Sequence, residues 1–209
     1  MPSIYQLKPR FQALLRPVTR MLFRIGVTAN QVTLAACFGS IAVAAWVASY
    51  AENLTLFWLI PVWMFVRMAL NAIDGMLARE FGQQSRLGAY LNELCDVVSD
   101  AALFLAFASV PGVYPWLPVG VVILALLVEY AGVMGPLASA SRRYDGPMGK
   151  SDRAFVFGVI AAGVALGWLS SIVINGLLTV VIALSLLTLT NRVRAGLAEA
   201  SSARGDLHE

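Results

Sequence analysis

The chain has 209 residues, of which 59% are hydrophobic and 13% are charged, with a formal net charge of +3 and a mean hydropathy of +0.75. Soluble domains carry roughly a quarter charged residues, so this composition excludes an ordinary soluble globular protein and indicates an integral membrane protein. The length suits one domain of about six membrane spans at about 20 residues each.

Residues 1–26 combine basic and apolar side chains that segregate at roughly helical spacing. Arg16, Arg20 and Arg24 are among the basic residues, and Leu15 is one of the apolar ones. This pattern predicts an amphipathic helix that lies in the membrane interface and is drawn to anionic lipid. A nucleic-acid-binding arm would also be basic, but the apolar face argues against nucleic acid as a partner.

Six apolar segments follow within residues 27–196, and we expect an all-α integral membrane domain in which each segment is a transmembrane helix. Thr28 and Asn30 are both suitable N-caps for the first segment. The segments lie at about residues 30–49, 54–79, 87–110, 116–139, 154–170 and 172–191. Regular structure is expected to fray from Asn191, and residues 197–209 are predicted to form a polar cytosolic tail in which His208 has no expected role.

The basic residues also predict the orientation of the chain. They collect in the N-terminal segment, in the turn between the second and third segments, in the loop between the fourth and fifth, and in the tail. The loops on the opposite side contain no Lys or Arg. By the positive-inside rule, both termini and the turn near Gln83 face the cytoplasm.

Acidic and amide side chains interrupt the apolar sequence on both sides of that turn. Each of the two segments carries these residues on one helical face, and we call the two faces the polar stripes. They consist of Arg67, Asn71, Asp74 and Ala78 on the second segment, and of Gly88, Asn92, Asp96 and Asp100 on the third. Counting outward from the turn predicts that Asn71 lies level with Asp96. The same count places Arg67 level with Asp100, which predicts a buried ion pair, with Asp100 as an additional metal ligand the alternative.

Carboxylates and amide carbonyls without His or Cys suit Mg²⁺, Mn²⁺ or Ca²⁺ and exclude a zinc site. The small residues Gly75, Ala78 and Gly88 would let a phosphorylated ligand approach the backbone, and Arg79 could bind a phosphate in bidentate fashion. A divalent cation beside an arginine predicts phosphoryl or phosphatidyl chemistry on a diphosphate substrate. The alternative is that these side chains only hydrogen-bond the helices to one another.

Two further polar features allow more than one interpretation. Arg142, Lys150 and Arg153 return to the same cytosolic face, where they could bind a phosphorylated acceptor or a lipid phosphate, or simply be positive-inside charge. Glu129 lies in the middle of the fourth segment. A buried glutamate there must be protonated or paired, and the sequence leaves a functional and a helix-packing role open.

These residues resemble the CDP-alcohol phosphotransferase family, whose signature is D-x2-D-G-x2-A-R-x8-G-x3-D-x3-D. Every spacing fits, and six of the eight fixed positions match: Asp74, Gly75, Ala78, Arg79, Gly88 and Asp96. Asn30 and Thr33 also fit an Asn-x2-Thr element that opens the first span in the family. The chain is similar to an uncharacterised bacterial branch of that family.

The resemblance implies transfer of a substituted phosphate from a CDP-linked donor to an alcohol, with release of CMP. It implies that Asn30, Thr33, Gly75, Ala78, Arg79 and Gly88 line the CDP site. It further implies that Asn71, Asp74, Asn92 and Asp96 occupy the metal-ligand positions for one or two Mg²⁺ or Mn²⁺ ions, with Asp96 also the catalytic base. CDP-diacylglycerol is the expected donor, although another CDP-alcohol donor is compatible, and a homodimer in the bacterial inner membrane is expected.

The chain departs from the signature at two positions. Asn71 and Asn92 replace the first and third acids, which halves the number of signature carboxylates. We therefore expect weaker metal binding, one ion instead of two, or compensation by Glu93 or Asp100. Two alternatives to an active transferase are a degenerate member that binds CDP-lipid without turnover and a transporter, although the absence of internal repeats argues against the latter.

Overall fold

The structure is a computed structural model that describes residues 4–205, with side chains described from residue 9 to residue 202. This part of the chain is helical and contains no β-strand. The α-helices are α1 (Ile4–Arg24), α2 (Ala29–Ser49), α3 (Leu59–Glu80), α4 (Arg86–Leu105), α5 (Trp116–Met134), α6 (Lys150–Ala165) and α7 (Ser171–Gly205). Three short 3₁₀ segments occupy Leu54–Trp58, Ala106–Ser109 and Gly135–Ala138.

Four helical segments of the described chain are long and apolar enough to cross a membrane, and these establish an integral membrane protein. They are Ala29–Ser49, Leu54–Glu80, Trp116–Ala138 and Ser171–Ser202. The predicted third and fifth spans are not among these four, because they do not combine the required length and apolar composition. The third corresponds to α4, which carries the charged side chains of the polar stripe, and the fifth corresponds to α6, which has only 16 residues.

The prediction that order is lost from Asn191 is wrong for the described residues, because α7 continues to Gly205. Glu199 anchors this extension: its carboxylate accepts a hydrogen bond of 2.8 Å from the backbone N–H of Ser141 and forms an ion pair with Arg143. Residues 1–3 of the predicted interfacial helix and 206–209 of the predicted tail, including His208, lie outside the described residues.

The start of α2 is fixed by local hydrogen bonds. Thr28 is the N-cap: its hydroxyl accepts from the Gln31 backbone N–H, and the Gln31 side chain accepts from the Thr28 N–H. This capping box satisfies donors that a helix N-terminus otherwise leaves free. Gln83, in the turn between α3 and α4, accepts a 2.7 Å hydrogen bond from the Ala29 N–H. The α3–α4 turn is therefore tied to the first turn of α2.

α2 packs closely against both α3 and α4, whereas α3 and α4 meet mainly through long polar side chains. The gap between these two antiparallel helices is where the polar stripes face each other. Away from this gap, the apolar core is built around an aromatic cluster in which Phe104 stacks on Phe157 at 3.9 Å between ring centroids. α1 packs along α3, and Thr19 of α1 is fully buried there.

Candidate active site

The deepest contact between the stripes is the ion pair of Arg67 on α3 with Asp100 on α4. Both side chains are almost completely buried. The predicted pairing at equal depth is therefore present, and Asp100 is committed to the arginine. A buried arginine with a carboxylate partner avoids the cost of an isolated charge in a membrane interior.

Asp96 is the point at which three helices meet. Its Oδ1 accepts hydrogen bonds of 3.0 Å from Arg67 Nη2 and from the amide nitrogen of Asn71, both on α3. Its Oδ2 is paired with the ammonium of Lys150, the first residue of α6. Asn71 and Asp96 thus meet at the depth that the helical count predicts, while the contact with Lys150 was not predicted.

Asp74 lies nearer the α3–α4 turn than Asn71 does, and it is buried. The Thr33 hydroxyl donates to Asp74 Oδ2 at 2.8 Å and also lies 3.1 Å from the carbonyl oxygen of Ala29. Thr33 is itself buried, on the face of α2 that packs against α3. The family element that contains Thr33 therefore supports one of the two carboxylates retained from the signature.

A cavity of about 640 Å³, which we call the larger cavity, opens beside Asp74. Its lining includes all the residues predicted for the CDP site: Asn30, Thr33, Gly75, Ala78, Arg79 and Gly88. A Cβ at Gly75 would lie 2.7 Å from Arg79 Nη2, and one at Gly88 would lie 2.8 Å from the carboxamide oxygen of Asn30. A side chain at either position would therefore displace the polar end of a neighbouring side chain from the helix backbone.

A second cavity of about 450 Å³, which we call the smaller cavity, lies between α4 and the start of α6 and includes Asp96 and Lys150 in its wall. Asn92, Glu93 and Arg142 line both cavities and so mark their boundary. Glu93 and Arg142 form a two-pronged ion pair, in which Arg142 Nη2 lies 2.9 Å from Glu93 Oε2. The hydrogen bonding of Arg142 to the Glu93 carboxylate raises the pKa of the Arg142 guanidinium above its usual value.

The two carboxylates that were expected to compensate for the missing acids both have cationic partners. Glu93 is paired with Arg142, and Asp100 is paired with Arg67. Either carboxylate would have to leave its partner before it could replace Asn71 or Asn92 as a metal ligand.

Glu129, whose partner the sequence left open, is partly buried against two arginines. Arg153 Nη2 lies 2.7 Å from Glu129 Oε1, and Arg192 Nη1 lies 3.7 Å from Oε2. Glu129 and Arg192 also line the smaller cavity, whereas Arg153 is fully buried behind its wall. These two ion pairs of Glu129 join α5, α6 and α7 beneath this cavity.

Arg192 is the residue of this region that the sequence analysis missed, because it was counted only as positive-inside charge. A signal was present in the spacing. Ser185, Thr188 and Arg192 repeat at i, i+3 and i+7 on α7, and all three are buried. Thr188 accepts a 2.9 Å hydrogen bond from the Met148 N–H, and Arg192 Nη1 donates to the Val128 carbonyl at 2.6 Å.

The oxygen atoms that are available as ligands at the signature positions determine how many divalent cations the site can hold. Asp96 has about four lone-pair positions, and Arg67, Asn71 and Lys150 already occupy three of them. No cluster of three or more His, Cys, Asp or Glu side chains in the described part of the chain is arranged to hold a metal. The residues therefore do not fit a pair of ions bridged by Asp96, whereas the oxygens of Asp74 and the two carboxamides fit one hard cation.

Comparison with known sequences shows the family to which the chain is similar. A sequence model of the family described as CDP-alcohol phosphatidyltransferase matches residues 26–185. The chain is 46% identical to the inner membrane protein YnbA of Escherichia coli K12 over 164 residues, which are 78% of this chain and 81% of that protein. It is 37% identical to phosphatidylinositol phosphate synthase of Mycobacterium tuberculosis over 101 residues, a match that spans only 42% of that enzyme.

Comparison with solved structures shows the same fold. The crystal structure of Mycobacterium tuberculosis phosphatidylinositol phosphate synthase with CDP-DAG bound superposes with a TM-score of 0.72, covering 86% of this chain and 92% of that one. The complex of that enzyme with manganese and citrate gives a TM-score of 0.71 and covers 86% and 87% of the two chains. Sequence identity in both superpositions is 19%, so these likenesses concern the fold alone.

Proposed function

This chain belongs to the CDP-alcohol phosphatidyltransferase family, which makes it a membrane phosphotransferase, and we propose that it transfers a phosphatidyl group from CDP-diacylglycerol to an alcohol with release of CMP. The observation that carries the proposal is the position of Asp96. It lines the smaller cavity together with Lys150, one helical turn from Asn92, and at Asn92 that cavity meets the larger cavity beside Asp74. A donor in one cavity and an acceptor in the other would meet at that point.

The larger cavity is the proposed donor site. Arg79 would bind the diphosphate, and Gly75 and Gly88 would let the ligand approach the helix backbone. Asn30, Thr33 and Ala78 complete the proposed contacts with the cytidine diphosphate. The basic residues orient this end of the polar stripes towards the cytoplasm. The cytidine diphosphate would therefore lie on the cytoplasmic side, and the diacylglycerol portion of the donor would extend into the surrounding lipid.

Asp96 is the proposed catalytic base. Arg67 and Asn71 fill its Oδ1 and Lys150 occupies one position on Oδ2, so one lone pair of Oδ2 is left for the acceptor hydroxyl. Asp96 would take the hydroxyl proton as the acceptor oxygen forms a bond to the phosphorus of the phosphatidyl group. The bond from that phosphorus to the bridging oxygen breaks, and CMP leaves with the electron pair.

One divalent ion, Mg²⁺ or Mn²⁺, is proposed on the oxygens of Asn71, Asp74 and Asn92, while Asp96, at the fourth signature position, keeps its free lone pair for the acceptor. When bound, it would offset the negative charge that develops on the donor diphosphate. Asn71 directs its amide nitrogen at Asp96, so its carbonyl oxygen is the end that is available to a cation. The manganese complex of a structurally similar enzyme supports a divalent ion in this fold.

The proposal includes a topology. We assign six spans, with α4 and α6 crossing the membrane alongside the four more apolar segments, and α1 lying in the interface on anionic lipid. α1 exposes large apolar side chains, including Leu14 and Met21, as an interfacial helix would. The basic loops place both termini and the site on the cytoplasmic side of a bacterial inner membrane. A homodimer is proposed from the family resemblance alone.

Arg142, Lys150 and Arg153 are assigned to the acceptor side. Arg142 and Lys150 line the smaller cavity, and Arg153 supports its wall through Glu129. The sequence analysis allowed either an acceptor phosphate or a lipid phosphate as their ligand. In the structure each of the three has a carboxylate partner: Arg142 pairs with Glu93, Lys150 with Asp96 and Arg153 with Glu129. Their proposed role is to shape the acceptor site through these pairs.

Purified protein supplied with CDP-diacylglycerol, Mg²⁺ or Mn²⁺ and a panel of alcohols tests the proposal. Release of CMP that requires both an alcohol and a divalent ion is the expected result. Binding of the donor without CMP release would instead favour the second candidate, a member that retains the nucleotide site without turnover. The replacement of two signature acids by Asn71 and Asn92 is the observation that favours that second candidate.

A further inference from the structure

The charge balance of the smaller cavity bears on which alcohol it accepts. Its wall contains a carboxylate on nearly every side, from α4, from α5 and from the first turn of α6. The five carboxylates are those of Glu93, Asp96, Asp100, Glu129 and Asp152. A phosphate monoester placed among them would meet like charges unless cations in the same wall were in surplus.

Cations are not in surplus there. Arg142, Lys150 and Arg192 line the cavity, and Arg67 and Arg153 contact its carboxylates from behind. Five cationic side chains therefore face five carboxylates. One divalent ion and the diphosphate of the donor carry opposite charges, so their arrival would not tip the balance towards a further anion.

The cations are also already engaged. Lys150 pairs with Asp96, and Arg142 pairs with Glu93. Arg192 contacts Glu129 and donates to the backbone carbonyls of Val128 and Asp145. The side chains of Glu93 and Asp96 are 41% and 17% exposed. An acceptor phosphate would have to displace one of these carboxylates from its guanidinium or ammonium partner and leave it unpaired in the wall. Such a displacement costs binding free energy.

We propose that the acceptor is an alcohol that carries no phosphate, a neutral or zwitterionic molecule with hydroxyl or amino groups. The paired carboxylates and guanidinium groups offer both acceptors and donors to such groups without a net field. Tyr144 adds an aromatic ring to the wall and lies 5.3 Å from the Arg142 guanidinium. This inference rests on the proposed transferase activity and specifies its acceptor.

The test uses pairs of acceptors that differ only by a phosphate: inositol and inositol 1-phosphate, glycerol and glycerol 3-phosphate, ethanolamine and phosphoethanolamine. CMP release from CDP-diacylglycerol is measured for each pair. We expect the phosphate-free member of the accepted pair to have a kcat/KM at least about tenfold higher, since a like-charge contact costs several kcal/mol. Equal or faster turnover of the phosphorylated member overturns the inference.

The variant Glu93→Gln tests the charge argument directly, because it frees Arg142 for a phosphate. The preference for the phosphate-free member should fall, and a ratio equal to that of the wild type would contradict the argument. Both members of a pair use the same donor, so their ratio cancels any change in donor binding. Glu80→Gln is the matched control: the Arg16–Glu80 pair has side-chain exposures of 42% and 38%, against 34% and 41% for Arg142 and Glu93.

Binding separates this inference from the proposed function. The protein is saturated with CDP and Mn²⁺, and each acceptor is titrated into it in a calorimeter. This measures acceptor affinity without turnover. If no alcohol yields CMP, the proposed function fails while the titration still decides between the two members of each pair. Tighter binding of a phosphorylated member in that titration overturns the inference.

Discussion

The hydroxyl of Thr33 on α2 donates a 2.8 Å hydrogen bond to the carboxylate of Asp74 on α3, and both side chains are buried. This contact fixes one of the two signature carboxylates that the chain retains at the wall of the larger cavity. It also joins two sequence elements that lie 41 positions apart. The family resemblance rests on both elements, and the structure explains why they occur together.

Thr33→Val should weaken the binding of a CDP-linked donor. The substitution keeps the shape of the side chain but removes the hydrogen bond to a buried carboxylate, which costs about 1.5–3 kcal/mol for a charged acceptor. We expect the apparent Kd for CDP in the presence of Mn²⁺ to rise by about tenfold, which corresponds to ~1.4 kcal/mol. Calorimetric titration of the detergent-solubilised protein measures the change.

Thr190→Val is the control for that experiment. Thr190 is also a helical threonine whose hydroxyl donates to the carbonyl four residues earlier, at 2.9 Å, but it is exposed and lies outside both cavities. It should leave CDP affinity unchanged. Equal effects of the two substitutions would show that Thr33 acts on the helix and not on Asp74.

Asn71→Asp combined with Asn92→Asp should strengthen metal binding. The double substitution restores the two signature acids, and each new carboxylate adds attraction to a divalent cation, more strongly at the partly buried position 71 than at the exposed position 92. We expect the affinity for Mn²⁺ to rise by at least about tenfold, or ~1.4 kcal/mol, measured by titration of the free ion. A new carboxylate at Asn71 would also lie against Asp96, which favours a cation between them.

Asn53→Asp is the control for the added charge, because Asn53 is exposed in the loop before α3. It should leave Mn²⁺ affinity unchanged. If the double variant binds Mn²⁺ no more tightly than the wild type, the missing acids do not limit metal binding, and the assignment of the ion to Asn71, Asp74 and Asn92 is wrong.

Contacts within the polar stripes could be predicted from the sequence because they depend on few variables. The helical period fixes which residues share a face, and a short turn fixes how two antiparallel helices are aligned. These two facts were enough to place Arg67 with Asp100 and Asn71 with Asp96. The N-cap of α2 was predicted on similarly local grounds as one of two residues, of which Thr28 fills the position.

Contacts between distant helices could not be predicted in this way. The pairing of Lys150 with Asp96 and of Glu129 with Arg153 depends on how α5 and α6 pack against α4, and periodicity does not specify which helices are neighbours. The extension of α7 was missed for a related reason. A polar sequence after a span resembles a tail, but the contacts of Glu199 with a distant loop hold it in the helix.

Asp100→Asn should destabilise the fold. The substitution leaves Arg67 without its partner in the most buried pair of the site, where the side chains are 6% and 7% exposed. Loss of one member of a buried ion pair costs about 3–5 kcal/mol, although the remaining bonds of Arg67 to Asp96 reduce this. We expect the Tm in detergent to fall clearly. Glu80→Gln, which breaks an exposed pair, should cost less than about 1 kcal/mol.

A different outcome for Asp100 would revise its role. If Asp100→Asn leaves Tm unchanged but lowers the affinity for Mn²⁺, then Asp100 acts as a metal ligand and not as the partner of Arg67. Measuring Tm and Mn²⁺ affinity on the same preparation separates these two roles.

Asp96→Asn should abolish turnover while leaving donor binding largely intact. The substitution keeps the shape of the side chain and its contact with Asn71, but an amide cannot take the acceptor proton. A positioned general base contributes about 10²–10⁴-fold to a rate, so CMP release should fall by at least that lower factor. Because the larger cavity is lined by Asp74 and not by Asp96, the affinity for CDP should change little.

Asp145→Asn provides the comparison for this last substitution. Asp145 also pairs with an arginine, at 2.9 Å to Arg143, but lies in the loop before α6 and outside both cavities. Its replacement should leave CMP release unchanged. Turnover that survives Asp96→Asn would mean that another group takes the proton, and then Asp96 would serve only to hold Arg67, Asn71 and Lys150 in place.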